Sequence, residues 1–252
     1  TLDPTAVAAR CGAPWLTADA GSPAGELHVD FFGQTHVVTL PDAVVWVAGE
    51  GVPGVHPSPG TCPHCQADSA AGAPTTPRPL AALRPLAPPR PLDSSLPHGR
   101  SLPHDRSPSH RSTAPIWDAI LILHYLGSEG PIPPRGEPIA FAEVADARFF
   151  DPAFQERCRV PLERRFGPAP ETLLPAAARL GGRPWDRGDV SAVVPAFPRV
   201  EVHVVLYRGD DDFPPAATML FSSDIASFQS AEDVAVLGGA TVSRLARALS
   251  GP

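Results

Sequence analysis

A short apolar segment, residues 116–126, most constrains how this chain can fold. Its apolar residues recur at helical spacing and also fill the opposite side, which predicts a helix enclosed by the rest of the domain. Pro115 suits the first turn of such a helix, and Gly127 suits its end. His124 and Tyr125 interrupt the apolar run. They are either core residues with satisfied hydrogen bonds or groups that face a cavity.

A proline-rich stretch precedes this helix and divides the chain. Residues 51–113 consist mainly of proline, serine, alanine, arginine and histidine, and the chain has 34 prolines in 252 residues. Such a stretch cannot bury enough apolar surface to offset its ordering entropy, which predicts a disordered or extended linker. It separates an N-terminal segment, residues 1–50, from a main domain, residues 114–252.

The strand patterns predict an α+β protein. Residues 26–32 and 35–40 flank a glycine-containing two-residue connection, which is typical of a hairpin, and residues 44–47 predict a third strand. Three strands alone bury too little to be stable, so we expect them to join the sheet of the main domain. Strands and helices there do not alternate as in a βαβ repeat. The expected fold is therefore one mainly antiparallel sheet covered by helices, with a long proline-rich insertion.

Two helices of the main domain have clear start signals. Asp151 followed by Pro152 is typical of a helix N-terminus, and apolar residues continue from there at four-residue spacing. Pro161 should kink or divide that helix. Residues 230–233 (Ser-Ala-Glu-Asp) match a capping box and predict the start of the last helix.

Charge and hydropathy exclude several classes of protein. The net charge of −7 argues against a general nucleic-acid binder, which needs a basic surface. No apolar run reaches the ~18–20 residues of a membrane-spanning helix. Four cysteines are too few for a disulfide scaffold of this size. We therefore predict a cytoplasmic protein with no membrane span. Whether it binds another protein is left open by the sequence.

Several short blocks, in the same order along the chain, resemble one family. They are Ile120 to Leu126, Phe154 with Arg157, Leu180 to Gly182, Asp189, Pro198 to Val200, Tyr207 to Asp210 with Phe213-Pro214, Leu220-Phe221 with Asp224-Ile225, and Glu232-Asp233. Together they resemble the domain-of-unknown-function 3786 family over about residues 115–240, with a weaker echo in residues 26–40.

The resemblance implies little about activity, because the family is uncharacterised. Some relatives carry an N-terminal iron–sulfur motif, which implies a role in anaerobic redox or cofactor metabolism. This chain lacks that four-cysteine cluster, and it has Ser222 where the family pattern leads us to expect aspartate.

The first functional hypothesis is a cytoplasmic accessory module that binds a cofactor or a metal-containing ligand in anaerobic metabolism. His124 and Tyr125 would face the pocket, with Arg157 or Asp189 as polar partners. The sequence does not identify the cofactor; a metal or a tetrapyrrole-type cofactor is one candidate class.

The second hypothesis is an enzyme that uses His124 as a general acid or base. A carboxylate such as Asp189 or Asp233 would orient the imidazole. Geometry separates the two hypotheses, because a catalytic histidine needs a carboxylate within hydrogen-bond reach and an open cavity beside it.

A third hypothesis is a zinc or thiol-redox module at Cys62 and Cys65. Two cysteines with two residues between them can chelate a metal or form a redox pair. A structural zinc site would need a second pair of ligands nearby, so an incidental loop is the alternative. An interaction protein without a ligand is the remaining alternative to all three hypotheses.

Overall fold

The computed structural model describes residues 3–17, 24–48 and 112–250. The α-helices of this part of the chain are α1 (Pro4–Cys11), α2 (Ile116–Leu126), α3 (Asp151–Phe154), α4 (Val160–Phe166), α5 (Leu173–Ala178) and α6 (Ala231–Ser250). The strands are β1 (Trp15–Thr17), β2 (Gly25–Phe31), β3 (Gln34–Leu40), β4 (Val44–Val47), β5 (Ser112–Thr113), β6 (Pro138–Ala140), β7 (Arg183–Trp185), β8 (Val190–Phe197), β9 (Val200–Tyr207) and β10 (Ala216–Ser222). The predicted linker lies outside the described residues, except for its last two, which form β5.

The strands form two antiparallel sheets, which confirms the α+β class. Their orders are β1-β2-β3-β4-β5 and β6-β10-β9-β8-β7. The expectation of one shared sheet is wrong, because β1 and β5 extend the N-terminal hairpin to a five-stranded sheet of its own. A sheet of that size can bury a full face of side chains.

The two sheets pack against each other through aromatic side chains. Phe31 of β2 stacks on Phe197 of β8, with ring centroids 4.7 Å apart. The backbone N–H of Phe32 donates to the carbonyl of Ala196 at 3.0 Å, which joins the end of the hairpin to β8. The N-terminal strands therefore share one hydrophobic core with the strands that follow α2.

Helix α2 spans the predicted residues, but it is not enclosed on all sides. Its buried residues are Leu121, Ile122, Tyr125 and Leu126. Ile116 and Trp117 in its first turn are mostly exposed, and so is His124 near its end. The expectation of a fully enclosed helix is therefore wrong, because α1, α6 and Phe197 of the second sheet contact one side of α2 and solvent covers the other.

A partly buried ion pair connects α2 to α6 and to the first sheet. Arg244 of α6 donates to the carboxylate of Asp118 of α2 at 2.7 Å. The guanidinium lies 4.7 Å from the ring centre of Phe31 and 4.6 Å from that of Phe32. The aromatic faces attract the cation while the carboxylate balances its charge.

The helix that begins at Asp151 is divided before Pro161, as predicted. Residues 155–159 form a π-helical turn, and the N–H of Val160 donates to the carbonyl of Gln155 instead of that of Glu156. Proline cannot donate an N–H and crowds the preceding turn, so the wider turn accommodates it. Cys158 and Leu162 still lie on one buried face.

None of the helices in these three described ranges has the length and apolar character that crossing a bilayer requires.

Acid should destabilise the domain through two buried histidines. Burial lowers the pKa of His36 and of His203, so both are neutral in the folded protein. The unfolded chain takes up a proton at each of them below about pH 6.5, whereas the folded protein does so only at a lower pH. The stability present above this pH is therefore lost as the pH falls, with a slope of up to ~1.4 kcal/mol per pH unit for each histidine.

Urea unfolding between pH 8 and pH 5 measures this slope. The variant His36→Asn keeps a donor where Nδ1 bonds the carbonyl of Gln34 (2.9 Å), but it does not titrate in this range. It should show a shallower fall in the free energy of unfolding between pH 6.5 and pH 5. Parallel curves for the wild type and the variant would exclude His36 as a source of the acid sensitivity.

Candidate functional site

A groove of about 740 Å³ opens where α2 ends and α6 begins. Its other wall is the proline-rich loop that follows α2. The lining side chains are those of Arg10, His124, Ser128, Glu129, Pro131, Ile132, Pro133, Pro134, Ala226, Ser227, Phe228, Gln229, Ser230 and Asp233. This volume is in the usual range for small-molecule sites.

A histidine and a carboxylate meet in this groove. His124, in the last turn of α2, has its Nδ1 2.8 Å from Oδ1 of Asp233, in the first turn of α6. The side chain of His124 is 56 % exposed, while that of Asp233 is 10 % exposed. With Nδ1–H donating to the carboxylate, Nε2 carries the free lone pair. Within the described ranges, no residue forms a hydrogen bond with Nε2.

The carboxylate of Asp233 is held in place by the start of α6. The hydroxyl of Ser230 donates to its Oδ2 at 2.7 Å, and the backbone N–H of Ser230 donates to the same oxygen at 3.2 Å. The backbone N–H of Asp233 donates back to Oγ of Ser230 at 3.2 Å. This confirms the predicted capping box. The positive end of the helix dipole also stabilises the ionised carboxylate, so it is a fixed anion beside His124.

A nearly buried arginine from α1 builds one wall of the groove. The guanidinium of Arg10 donates to the carbonyls of Gly130 (2.5 Å), Pro131 (2.6 Å) and Ser227 (2.7 Å), and to Oγ of Ser128 (3.1 Å). These bonds tie the N-terminal helix to both sides of the groove. Sequence reasoning missed Arg10, because nothing near it in the chain indicates that its partners lie more than a hundred residues away.

A buried glutamine contributes an acceptor without a partner. Gln229 is 3 % exposed and lines the groove, and its Nε2 donates to the carbonyl of Leu121 at 3.1 Å. Its Oε1 has no hydrogen-bond partner among the described residues. A buried polar atom without a partner typically costs about 1–3 kcal/mol. Gln229 was also missed, because its neighbours in sequence resemble an ordinary helix cap.

Tyr125 lies in the core and does not line the groove. It is completely buried, and its ring stacks on Phe197 with centroids 4.3 Å apart and planes 11° apart. Its hydroxyl donates to the carbonyl of Cys11 at 2.6 Å. Burial raises the pKa of Tyr125 well above its ordinary value, and burial also raises the pKa of the Cys11 thiol. Both side chains are therefore neutral groups of the core.

The other predicted ligand residues are not in the groove either. Arg157 is exposed on the π-helical turn. Asp189 is exposed at the start of β8, where its Oδ2 accepts from the backbone N–H of Arg208 at 2.7 Å. Cys62 and Cys65 lie outside the described residues, so the zinc and thiol hypothesis stays a prediction. In the part of the chain that is described, no group of three or more His, Cys, Asp or Glu side chains is arranged to hold a metal ion.

Comparison with known proteins identifies the sequence family. The model of a family described as "Domain of unknown function (DUF3786)" matches residues 100–244. The matched range includes His124, Gln229 and Asp233, and it excludes Arg10. No curated protein and no solved structure matches the chain.

Proposed function

The chain belongs to the DUF3786 family, which is defined without reference to an activity, and we propose that it is an enzyme in which His124 transfers a proton to or from a small molecule. The observation that carries this proposal is the 2.8 Å contact between Nδ1 of His124 and Oδ1 of Asp233 at the edge of an open groove. The anaerobic setting and the cytoplasmic location predicted from the sequence are part of the same proposal.

The arrangement suits a general base. Nε2 accepts a proton from the bound molecule, and the resulting imidazolium keeps its hydrogen bond to the carboxylate of Asp233. The carboxylate is fixed by Ser230 before the proton arrives, so little reorganisation is needed when the charge develops. The same imidazolium then returns the proton to the product. Positioned proton transfer of this kind contributes about 10²–10⁴-fold to rate.

A reaction screen in D2O tests this proposal. The full chain is incubated with a library of small amines, acids and esters, and mass spectrometry records deuterium uptake and new products. At least one compound should change, and His124→Gln should slow that change about a hundredfold. Glutamine retains hydrogen-bonding groups near Asp233, but it cannot take up a proton at neutral pH.

Two further variants complete this screen. Asp233→Asn keeps an acceptor for Nδ1–H and removes the charge, so it should also slow the reaction. His28→Gln is the matched control, because His28 lies beside Glu26 (3.4 Å) in the first sheet and outside the groove. An undiminished rate in His124→Gln would eliminate the proton-transfer role.

The second candidate function is the accessory module that binds a metal-containing ligand. It is supported by the same pair, because histidines that bind metals usually donate their other N–H to a carboxylate. In that case Nε2 of His124 would be one ligand to a metal carried by the bound molecule. Titration with hemin or cobinamide tests this function by absorption spectroscopy. A spectral shift that disappears in His124→Ala would favour binding over catalysis, provided that the screen in D2O yields no product.

A further inference from the structure

We infer that a second groove of this protein binds a phosphate monoester carried on an apolar or aromatic skeleton. This groove has a volume of about 1010 Å³ and lies between the first sheet, the start of α2, the end of α5 and α6. It shares no lining residue with the groove at His124, so the inference goes beyond the proposed function.

Three arginines line the second groove, and only one of them is paired with a carboxylate. Arg244 is paired with Asp118, which is the sole carboxylate among the described residues of the lining. Arg179 and Arg247 are exposed, and no carboxylate in the described ranges forms an ion pair with either. His36 adds no charge at neutral pH, because it is almost completely buried and burial lowers its pKa. Three arginines against one aspartate therefore leave an excess of two positive charges.

The two unpaired guanidinium groups meet at the last turns of α6. Arg179 donates one N–H to the carbonyl of Ala248, the residue that follows Arg247. Arg247 donates its Nε–H to the carbonyl of Ser243 at 3.4 Å. The other N–H groups of both side chains have no partner among the described residues. Because both side chains are exposed, a ligand can reach these donors.

The size of the excess charge favours a dianion. The C-terminus of α6 contributes about half a negative charge, which lowers the excess at this end of the groove to about +1.5. A phosphate monoester carries about −1.5 to −2 at pH 7, whereas a single carboxylate carries only one negative charge. The terminal oxygens of a phosphate also match the paired N–H groups of a guanidinium.

The neutral polar side chains of the second groove are compatible with an anion. They belong to Gln34, Ser112, Thr113 and Ser243. Amide and hydroxyl groups can donate a hydrogen bond as well as accept one, so each of them can turn a donor toward a phosphate oxygen.

An apolar surface lies beside the arginines. Val236 and Ala240 are on the same face of α6 as Arg247, about three and two turns before it. Trp117, in the first turn of α2, also lines the groove and is 62 % exposed, so its indole can stack on a ligand. The volume is at the upper end of the range for small-molecule sites. The groove therefore has room for a hydrocarbon skeleton as well as for the phosphate.

Four probes, titrated into the full chain and followed by calorimetry, test this inference. 1-Naphthyl phosphate, 1-naphthoate and 1-naphthol share one ring system and differ in charge, and inorganic phosphate lacks the ring. Naphthyl phosphate should bind about tenfold more tightly than naphthoate or inorganic phosphate, because the first lacks a charge and the second lacks the stacking ring. Naphthol should bind more weakly than naphthoate.

Two variants and one control locate the binding groups. Arg247→Gln leaves the pair of Arg244 and Asp118 intact, and it should weaken the binding of both phosphates about tenfold. Trp117→Ala should weaken the binding of naphthyl phosphate about fivefold and leave that of inorganic phosphate unchanged. Both changed side chains are exposed, so both variants should fold, which thermal unfolding verifies. Arg164→Gln, on the exposed side of α4, removes the same charge outside the groove and should have no effect.

Each of several outcomes would overturn this inference. They are no binding of any probe, binding of naphthol or naphthoate as tight as that of naphthyl phosphate, and undiminished binding of naphthyl phosphate by Arg247→Gln. If inorganic phosphate binds as tightly as naphthyl phosphate and Trp117→Ala has no effect, the apolar part of the assignment is wrong. His124→Gln should bind naphthyl phosphate as the wild type does, and a loss in that variant would place the ligand in the other groove.

Discussion

Replacing Tyr125 with alanine should reduce the free energy of unfolding by about 3–5 kcal/mol, the range found when large aromatic residues are removed from a core. The ring is completely buried; it stacks on Phe197 of β8 at 4.3 Å, and its centre lies 5.7 Å from that of Phe228, which precedes α6. Its removal leaves a cavity at the point where the two sheets and α2 meet. Urea unfolding monitored by circular dichroism measures the loss.

The variant Tyr125→Phe separates packing from hydrogen bonding. It keeps the stacked ring but leaves the carbonyl of Cys11 without the donor it now has at 2.6 Å, so we expect a loss of about 1–2 kcal/mol. A Tyr125→Ala protein as stable as the wild type would show that this residue is not part of the core. Such a result would reopen its role as a ligand residue.

Two adjacent glycines of α6 should respond in opposite directions to alanine. A Cβ at Gly238 would lie 2.8 Å from the ring of Phe154 and 2.9 Å from Sγ of Cys158, and Met219 is also close. Phe154 cannot withdraw easily, because it stacks on Phe141 at 4.1 Å. Gly238→Ala should therefore destabilise the protein by about 1–3 kcal/mol, which exceeds the gain in helix propensity.

Gly239 provides the matched control for this prediction. A Cβ there meets no described atom within 4 Å, so only helix propensity counts, and Gly239→Ala should stabilise the protein by about 1 kcal/mol. Thermal and urea unfolding of the two variants should thus differ by about 2–4 kcal/mol. Equal stabilities would mean that α6 does not pack closely against the π-helical turn.

Local features were predicted well, because they depend on neighbours in sequence. The hairpin of β2 and β3, the start and end of α2, the division before Pro161 and the capping box at Ser230 each follow from a few adjacent residues. Turn glycines, proline geometry and helix caps act over two to five residues, so no tertiary information is needed to recognise them.

The candidate site was predicted only in part. The sequence singled out His124 and offered Asp189 and Asp233 as carboxylate partners, and the fold brings Asp233 to it while Asp189 lies elsewhere. Tyr125 follows His124 directly, yet it points into the core, because adjacent residues of a helix face directions about 100° apart. Apolar composition alone did not reveal which side of α2 is covered.

The amino-acid sequence by itself determined the α+β class, the position of α2 and the family. The tertiary structure alone decided that the strands form two sheets, that Arg10 closes the groove and that Gln229 keeps an oxygen without a partner. The physical reason is the separation in sequence between the residues that interact. Caps and turns are governed by steric and hydrogen-bonding preferences of neighbouring residues, whereas a groove is formed by contacts between residues more than a hundred positions apart, which depend on how the whole core packs.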